Sequence, residues 1–335
     1  MAKIDNNLIF LKSENSRIKI KDLSVMLKKS SQILKYSISQ LQKESILMDS
    51  FTIFDYSFFG QIKFKVYFKG AYITEKDKEK IISQLSSHPY ITSIYELTGE
   101  FDLVLEILAK NPSRFNKVLK KISDDFPTLN NYKTILNLVT HIYPRKHLVK
   151  RNFNNSALIR ISPSTIIGGD RDKENFSENE LRIMRELLLN PNIRFTSLSN
   201  KTELNVKTVK KIINSLRKRK VVKGFKHIIN LNNINLFSSR LFLKLHNINK
   251  EREDQLMKYL LETQEIVQAN KTIGDWNMEI DIEATDKKKI RFLILQLREN
   301  FKDIIETFNL IEFYRYYKRS YLPNYIFMDD EKEVI

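Results

Sequence analysis

The chain matches itself at a spacing of 175 residues, and no other property limits its possible folds so narrowly. Leu23 and Leu198, Leu41 and Leu216, Gly99 and Gly274, and Phe126 and Phe301 are all separated by that distance. The same spacing, with no gap, pairs Ile18 with Ile193, Ser24 with Ser199, Lys35 with Lys210 and Leu85 with Leu260. Chance identities would scatter over many offsets, so the pattern reads as one unit written twice, with halves near 1–150 and 176–325.

The clearest part of that unit is the stretch 204–220, LNVKTVKKIINSLRKRK. At about 100° per residue, Val209, Ile212, Ile213 and Leu216 fall on one side of a helix. Lys207, Lys211, Asn214 and Lys218 fall opposite, with Thr208, Lys210 and Arg217 beside them. Upstream, Ile193, Phe195, Leu198 and Leu204 mark a shorter helix, with Thr196 and Ser197 as expected N-caps, and 203–205 is the turn between the two. Residues 220–225 then read as a strand, which gives the order of a winged helix-turn-helix. The first half has the same plan. Helical patterns run through Leu8 to Phe10, Ile18 to Leu27 and Leu34 to Leu41, and the run near 46–54 is expected to form a hairpin wing.

After each helix-turn-helix comes a second pattern. Residues 62–68 alternate with period two and read as a strand. A helix at 75–87 with Thr74 as N-cap follows, then strands at 91–97 and 102–108, a helix at 112–126 that opens on a tolerated Pro112, and a strand at 134–143. The order βαββαβ is that of a ferredoxin-like sandwich. The expected class is therefore α+β, a tandem repeat of winged helix-turn-helix plus sandwich. Its boundaries are 1–55, 60–150, 176–230 and 236–325, with a Pro- and Gly-containing linker at 151–175.

Composition sets the class of partner. Lys and Arg number 57 against 40 Asp and Glu, a net +17, which favours a polyanion. The chain has no cysteine, which excludes disulfides and thiolate metal sites. Neither a leader at 1–10 nor a long apolar run is present, so a soluble cytoplasmic protein is expected. The seven glycines form no phosphate-binding loop and the five histidines have no metal-ligand spacing, so no cofactor, metal or catalytic set is assigned.

Taken together, Asn15-Ser16-Arg17-Ile18 with Asp22-Leu23, Val209-Lys210-Lys211 with Ile213, Leu216 and 221–225, and Gly99-Glu100-Phe101-Asp102-Leu103 with its echo at 274–278 resemble the Lrp/AsnC family of transcriptional regulators. The resemblance spans nearly the whole chain twice and implies a covalent pseudo-dimer that binds duplex DNA and assembles further through its sandwich domains into a homo-oligomer. It also implies that a small effector, often an amino acid, binds near Gly99, Asp102 and Thr134, with Gly274 the counterpart in the second half. There Asn277 replaces Asp102 and Asn309 replaces Thr134. From the residues alone, Gly99 and Gly274 read as hairpin glycines and Asp102 as a solvated strand-edge acid.

The two helical heads differ in charge. Residues 203–220 carry a net +6, while the matching window 28–45 carries +3. Lysines at such positions hold phosphates, and Asn214 offers an amide to adenine. In the first head Gln32, Lys35 and Lys43 are the DNA-facing positions. The aromatic and basic run 313–319 reads as the packed last strand of the second sandwich, and Arg145-Lys146-His147 as an exposed tail. Two rival readings stand beside a regulator. One is an enzyme similar to the siroheme decarboxylases of haem biosynthesis, although 55–61 lacks the His and Arg of their insert. The other is an effector sensor without DNA binding.

Overall fold

A computed structural model describes residues 5–149 and 164–328. In chain order the helices are α1 (Asn6–Glu14), α2 (Ile20–Leu27), α3 (Ser31–Lys43), α4 (Glu75–Ser87), α5 (Pro112–Asp125), α6 (Glu178–Leu189), α7 (Phe195–Thr202), α8 (Val206–Lys218), α9 (Lys250–Glu262) and α10 (Lys287–Asn300). The strands are β1 (Leu47–Phe54), β2 (Ile62–Phe68), β3 (Ile91–Thr98), β4 (Leu103–Ala109), β5 (Tyr132–Ile142), β6 (Thr165–Gly168), β7 (Val222–Ile229), β8 (Phe237–Leu245), β9 (Ile266–Ile273), β10 (Met278–Ala284) and β11 (Ile305–Arg319). From α2 to α5 every helix, and β1, β3 and β4, recur 175 residues later with both ends in register. Backbone positions with positive φ recur at the same spacing, at Lys28 and Glu203, Ser45 and Lys220, Gly60 and Asn235, and Gly99 and Gly274. Left-handed conformations are costly for residues with a side chain, so their recurrence marks a shared backbone path rather than shared composition.

The chain divides into two compact units that cut across this order. Among the described residues, unit 1 holds 5–49, 139–149, 164–166 and 226–313, and unit 2 holds 50–138, 167–225 and 314–328. Each unit thus joins the helix-turn-helix of one repeat to the sandwich of the other. In unit 1, Leu8, Phe10, Leu23, Leu34 and Leu41 share a buried cluster with Leu148, Ile229 and Leu236. A second cluster lines the sandwich, whose strands run in the order β11-β8-β10-β9 with α9 and α10 supplying Leu256, Leu260, Leu293 and Leu297. In unit 2 the order is β5-β2-β4-β3, and α4 and α5 cover one face through Ile81, Leu85, Phe115, Val118 and Ile122.

Local chemistry explains where the elements begin. Thr74 and Asp77 form a reciprocal capping box at α4, as do Ser177 and Glu180 at α6. Asn111 caps α5 with Pro112 just inside. The expectation that Thr196 and Ser197 cap the shorter helix of the second head is corrected. That helix starts at Phe195, Arg194 stands at the cap position without a side-chain bond, and Thr196 and Ser197 lie within the first turn.

The hairpin wing expected near 46–54 is also corrected. Residues 47–54 form one strand with no internal turn, and β1 pairs with β7. In unit 1 the amide of Asn230 donates to the Ile46 carbonyl, and in unit 2 the amide of Asp55 donates to the Val221 carbonyl, 3.0 and 2.9 Å. The strand's partner is its own counterpart from the other repeat, so no wing hairpin is needed to satisfy its backbone. Part of the segment expected to be a linker, 151–163, lies outside the described residues. Within its described part, Thr165–Gly168 is a strand whose last amide donates to the buried Asp55 carboxylate at 3.0 Å.

Candidate nucleic-acid interface

The geometry of the second head comes from a short sequence of local choices. Glu203 ends α7 in the left-handed conformation, φ 57°, and reverses the chain. Asn205 then caps α8, its side chain accepting the Thr208 amide at 2.8 Å. Val209, Ile213 and Leu216 are buried, which fixes the rotation of α8 and turns the opposite side outward. On that side Lys207, Lys210, Lys211, Asn214, Arg217 and Lys218 are all exposed, and Thr208 is half-buried. Lys210 lies over the Phe195 ring at 5.7 Å. Among the described residues no carboxylate pairs with Lys207, Lys211, Arg217 or Lys218. Arg219 does the opposite job, folding back onto Glu180 and Glu174 at 2.8 and 2.9 Å and tying the end of α8 to α6 and the segment before it.

The first head has the same scaffold, with Lys28 in the left-handed turn at φ 52° and Ser30 capping α3 through the Ile33 amide at 3.3 Å. Leu34 and Leu41 are buried, and Gln32, Lys35 and Lys43 are exposed. Ile33 and Tyr36 are exposed as well, at the positions where the second head has Thr208 and Lys211.

The expected effector residues are placed differently. Gly99 and Gly274 have φ of 128° and 143°, a region that favours glycine, as a tight hairpin demands. Asp102 is not simply solvated: its carboxylate accepts the amides of Gly70 and Ala71, the second at 3.4 Å, and so pins the chain as it leaves β2. In the second half the Asn277 side-chain oxygen accepts the Leu245 amide at 2.9 Å, the equivalent bond at the equivalent residue. Thr134 is exposed on β5 opposite Val66, near the end of β2 that carries the Asp102 bond. A cavity of about 230 Å³ in unit 2 is lined by Phe59, Gln61, Lys110, Phe176 and Tyr325, and none of Gly99, Asp102 and Thr134 lines it.

Two expectations about the strand ends are overturned. Arg145 and His147 are not an exposed tail. In unit 1 the Arg145 guanidinium clasps Glu283 at 2.9 to 3.2 Å and lies 3.7 Å from the buried Glu14, which also pairs with Lys226 at 2.5 Å. His147 stands 3.4 Å from Glu283, and burial pushes its pKa down against the pull of that carboxylate. The far end of β11 does not pack on the second sandwich. In unit 2 Tyr316 packs on Tyr95, their centroids 5.1 Å apart, and Tyr317 donates to Glu96 at 2.6 Å. Sequence reading missed both sets because their partners lie more than a hundred residues away. The one signal available was the presence of charged residues directly after an apolar strand.

Comparison with known proteins adds the following. Residues 68–146 match the model of the Lrp/AsnC ligand binding domain, and residues 176–223 match a winged helix-turn-helix DNA-binding domain. The chain is 24% identical over 145 residues to the HTH-type transcriptional regulator FL11 of Pyrococcus horikoshii, covering 42% of this chain and 91% of that protein. It is 25% identical over 125 residues to an uncharacterized HTH-type transcriptional regulator of Pyrococcus furiosus, covering 37% and 81%. Over its full length the fold is similar to that of the siroheme decarboxylase NirDL, with a TM-score of 0.58, 99% of this chain and 98% of that one covered, and 12% identity. At that identity the likeness speaks to fold alone.

Proposed function

We propose that the chain, which is similar to the Lrp/AsnC regulators, is one of them, binds duplex DNA sequence-specifically through its helix-turn-helix heads and regulates transcription without catalysing a reaction. The observation that carries this reading is the exposed outer side of α8, where Lys207, Lys211 and Lys218 lack an acidic partner among the described residues. Cations held this way displace condensed counterions from phosphates, and a helix fits the major groove. The register of elements and left-handed residues at 175 supports descent by duplication of one reader-plus-sandwich module. On this reading the chain is a covalent pseudo-dimer in the cytoplasm that assembles further through its sandwich domains, and the second head supplies most of the affinity.

The test compares full-length Lys207→Gln/Lys211→Gln/Lys218→Gln with Lys35→Gln/Lys43→Gln in salt-dependent binding to duplex DNA. The first variant is expected to lose far more affinity and to flatten the dependence of log K on log salt by about 2.7, at about 0.9 per phosphate contact. Equal losses would refute the asymmetry.

An effector such as an amino acid near Gly99, Asp102, Thr134 and Gly274 belongs to the same proposal, although Asp102 and Asn277 already have a backbone role. The whole-chain likeness to a siroheme decarboxylase favours one rival, a tetrapyrrole enzyme. Against it, 55–61 forms a short 3-10 turn without His or Arg. Titration with an iron tetrapyrrole, followed by absorbance, separates the two: a tight, shifted Soret band would favour the enzyme.

A further inference from the structure

The two heads share a backbone but differ in what they present. Along the outer side of α8 the residues are Lys207, Thr208, Lys211, Asn214 and Lys218, and the matching series on α3 is Gln32, Ile33, Tyr36, Ser39 and Lys43. Ile33 is 53% exposed and Tyr36 66%, and Val25 on α2 is 74% exposed. These large apolar groups belong to neither the buried cluster of unit 1 nor its partly buried margin. Around them Lys19, Lys21, Lys28, Lys35 and Lys43 are exposed, and Asp22 is the single acid between residues 19 and 43. Lysine is depleted at protein interfaces, whereas a cationic rim around a projecting helix complements paired phosphate strands.

Resting on the DNA-binding reading above, we infer that the first head is the sequence reader of this chain, selecting A·T base pairs through Gln32, Ile33 and Tyr36, while the second head is its phosphate grip. In a helix-turn-helix the N-terminal residues of the second helix meet the base edges, and Gln32, Ile33 and Tyr36 occupy the first turns of α3. A glutamine amide matches the N6 and N7 edge of adenine, and apolar side chains contact the thymine methyl. Arginine, the favoured guanine partner, is absent from α3, and Lys35, the counterpart of Lys210, stands beside this row of residues and is assigned with Lys43 to phosphate. Lys43 in the last turn lies about 16 Å along the helix from Gln32, at about 1.5 Å per residue, and is left to hold backbone phosphate.

The experiment uses the full chain and two duplexes of equal length, one A·T-rich and one G·C-rich, over a range of salt. Wild type is expected to prefer the A·T-rich duplex by about tenfold or more, the discrimination of one or two good base contacts. Gln32→Ala/Ile33→Ser/Tyr36→Ser is expected to reduce that preference below about twofold while the salt slope stays as it was. Lys207→Ala/Lys211→Ala/Lys218→Ala is expected to flatten the slope and keep the preference. The three first-head positions are exposed, so an unchanged unfolding curve shows that the variant is intact. A preference that survives the first-head substitutions, that is absent in wild type, or that disappears with the second-head lysines overturns the assignment. Absence of any salt-dependent binding by wild type would instead bring down the regulator reading on which it stands.

Discussion

At the scale of single residues, Asp102 and Asn277 show why a substitution that looks like loss of function can be conservative. Both side chains accept a backbone amide at equivalent positions, from Gly70 just beyond β2 and from Leu245 at the end of β8. An amide oxygen fills that acceptor role as a carboxylate does, so Asp102→Asn is expected to leave the unfolding free energy from urea titration within about 0.5 kcal/mol of wild type. Asp102→Ala is expected to cost about 1 to 2 kcal/mol, since it leaves the Gly70 and Ala71 amides without their acceptor. Equal stability for the Ala and Asn variants would show that the bond contributes nothing. Two histidines set a pH dependence. Burial, then Lys318 and Lys121, pushes His88 down to about 4, and burial, then Lys271, does the same to His141. Both are neutral in the fold but take up a proton in the unfolded chain below the ordinary value of 6.5. Their stabilisation is therefore complete above pH 6.5 and is lost progressively as pH falls toward 4. The unfolding midpoint should drop between pH 6.5 and 5, and His88→Gln should make that drop shallower.

Among the elements, the turns inside the two heads matter most, because they set the angle at which α3 and α8 are offered. Lys28 and Glu203 hold left-handed φ of 52° and 57° at equivalent points. A residue with a Cβ pays about 1 to 2 kcal/mol there, of which glycine recovers a part after its larger loss of chain entropy. Glu203→Gly is therefore expected to raise the unfolding free energy from urea titration by about 0.5 to 1 kcal/mol, and Glu203→Val to lower it. Both signs follow from the backbone alone, so a stabilising valine would contradict the turn's conformation. The positions of the elements were legible beforehand because periodicity and capping are local. Val209, Ile213 and Leu216 mark the buried side of α8 from sequence alone, and Thr74 marks the start of α4. The wing was misread because a strand's hydrogen-bond partner is not encoded near the strand, and β1 finds its partner in β7.

For the whole molecule, each compact unit draws on both repeats. The buried cluster around Leu8, Leu34 and Leu41 includes Ile229 and Leu236, and Glu14 at the end of α1 is neutralised by Lys226 and Arg145. Residues 1–149 expressed alone should therefore fail to give a cooperatively unfolding monomer, because apolar surface and a buried carboxylate would lose their partners. A sharp unfolding transition from that monomeric half, measured by circular dichroism, would contradict the crosswise packing. By itself the sequence determined the 175-residue spacing, the type of most helices and strands in the first half, and which side of α8 faces water. These follow from spacing, capping and turn chemistry within a few residues of one another. Tertiary structure alone decided which head packs with which sandwich, that Arg145 and His147 are held half-buried against Glu283, and that β1 pairs with β7. Burial and pairing between segments more than a hundred residues apart depend on which surfaces meet, and no local pattern carries that information.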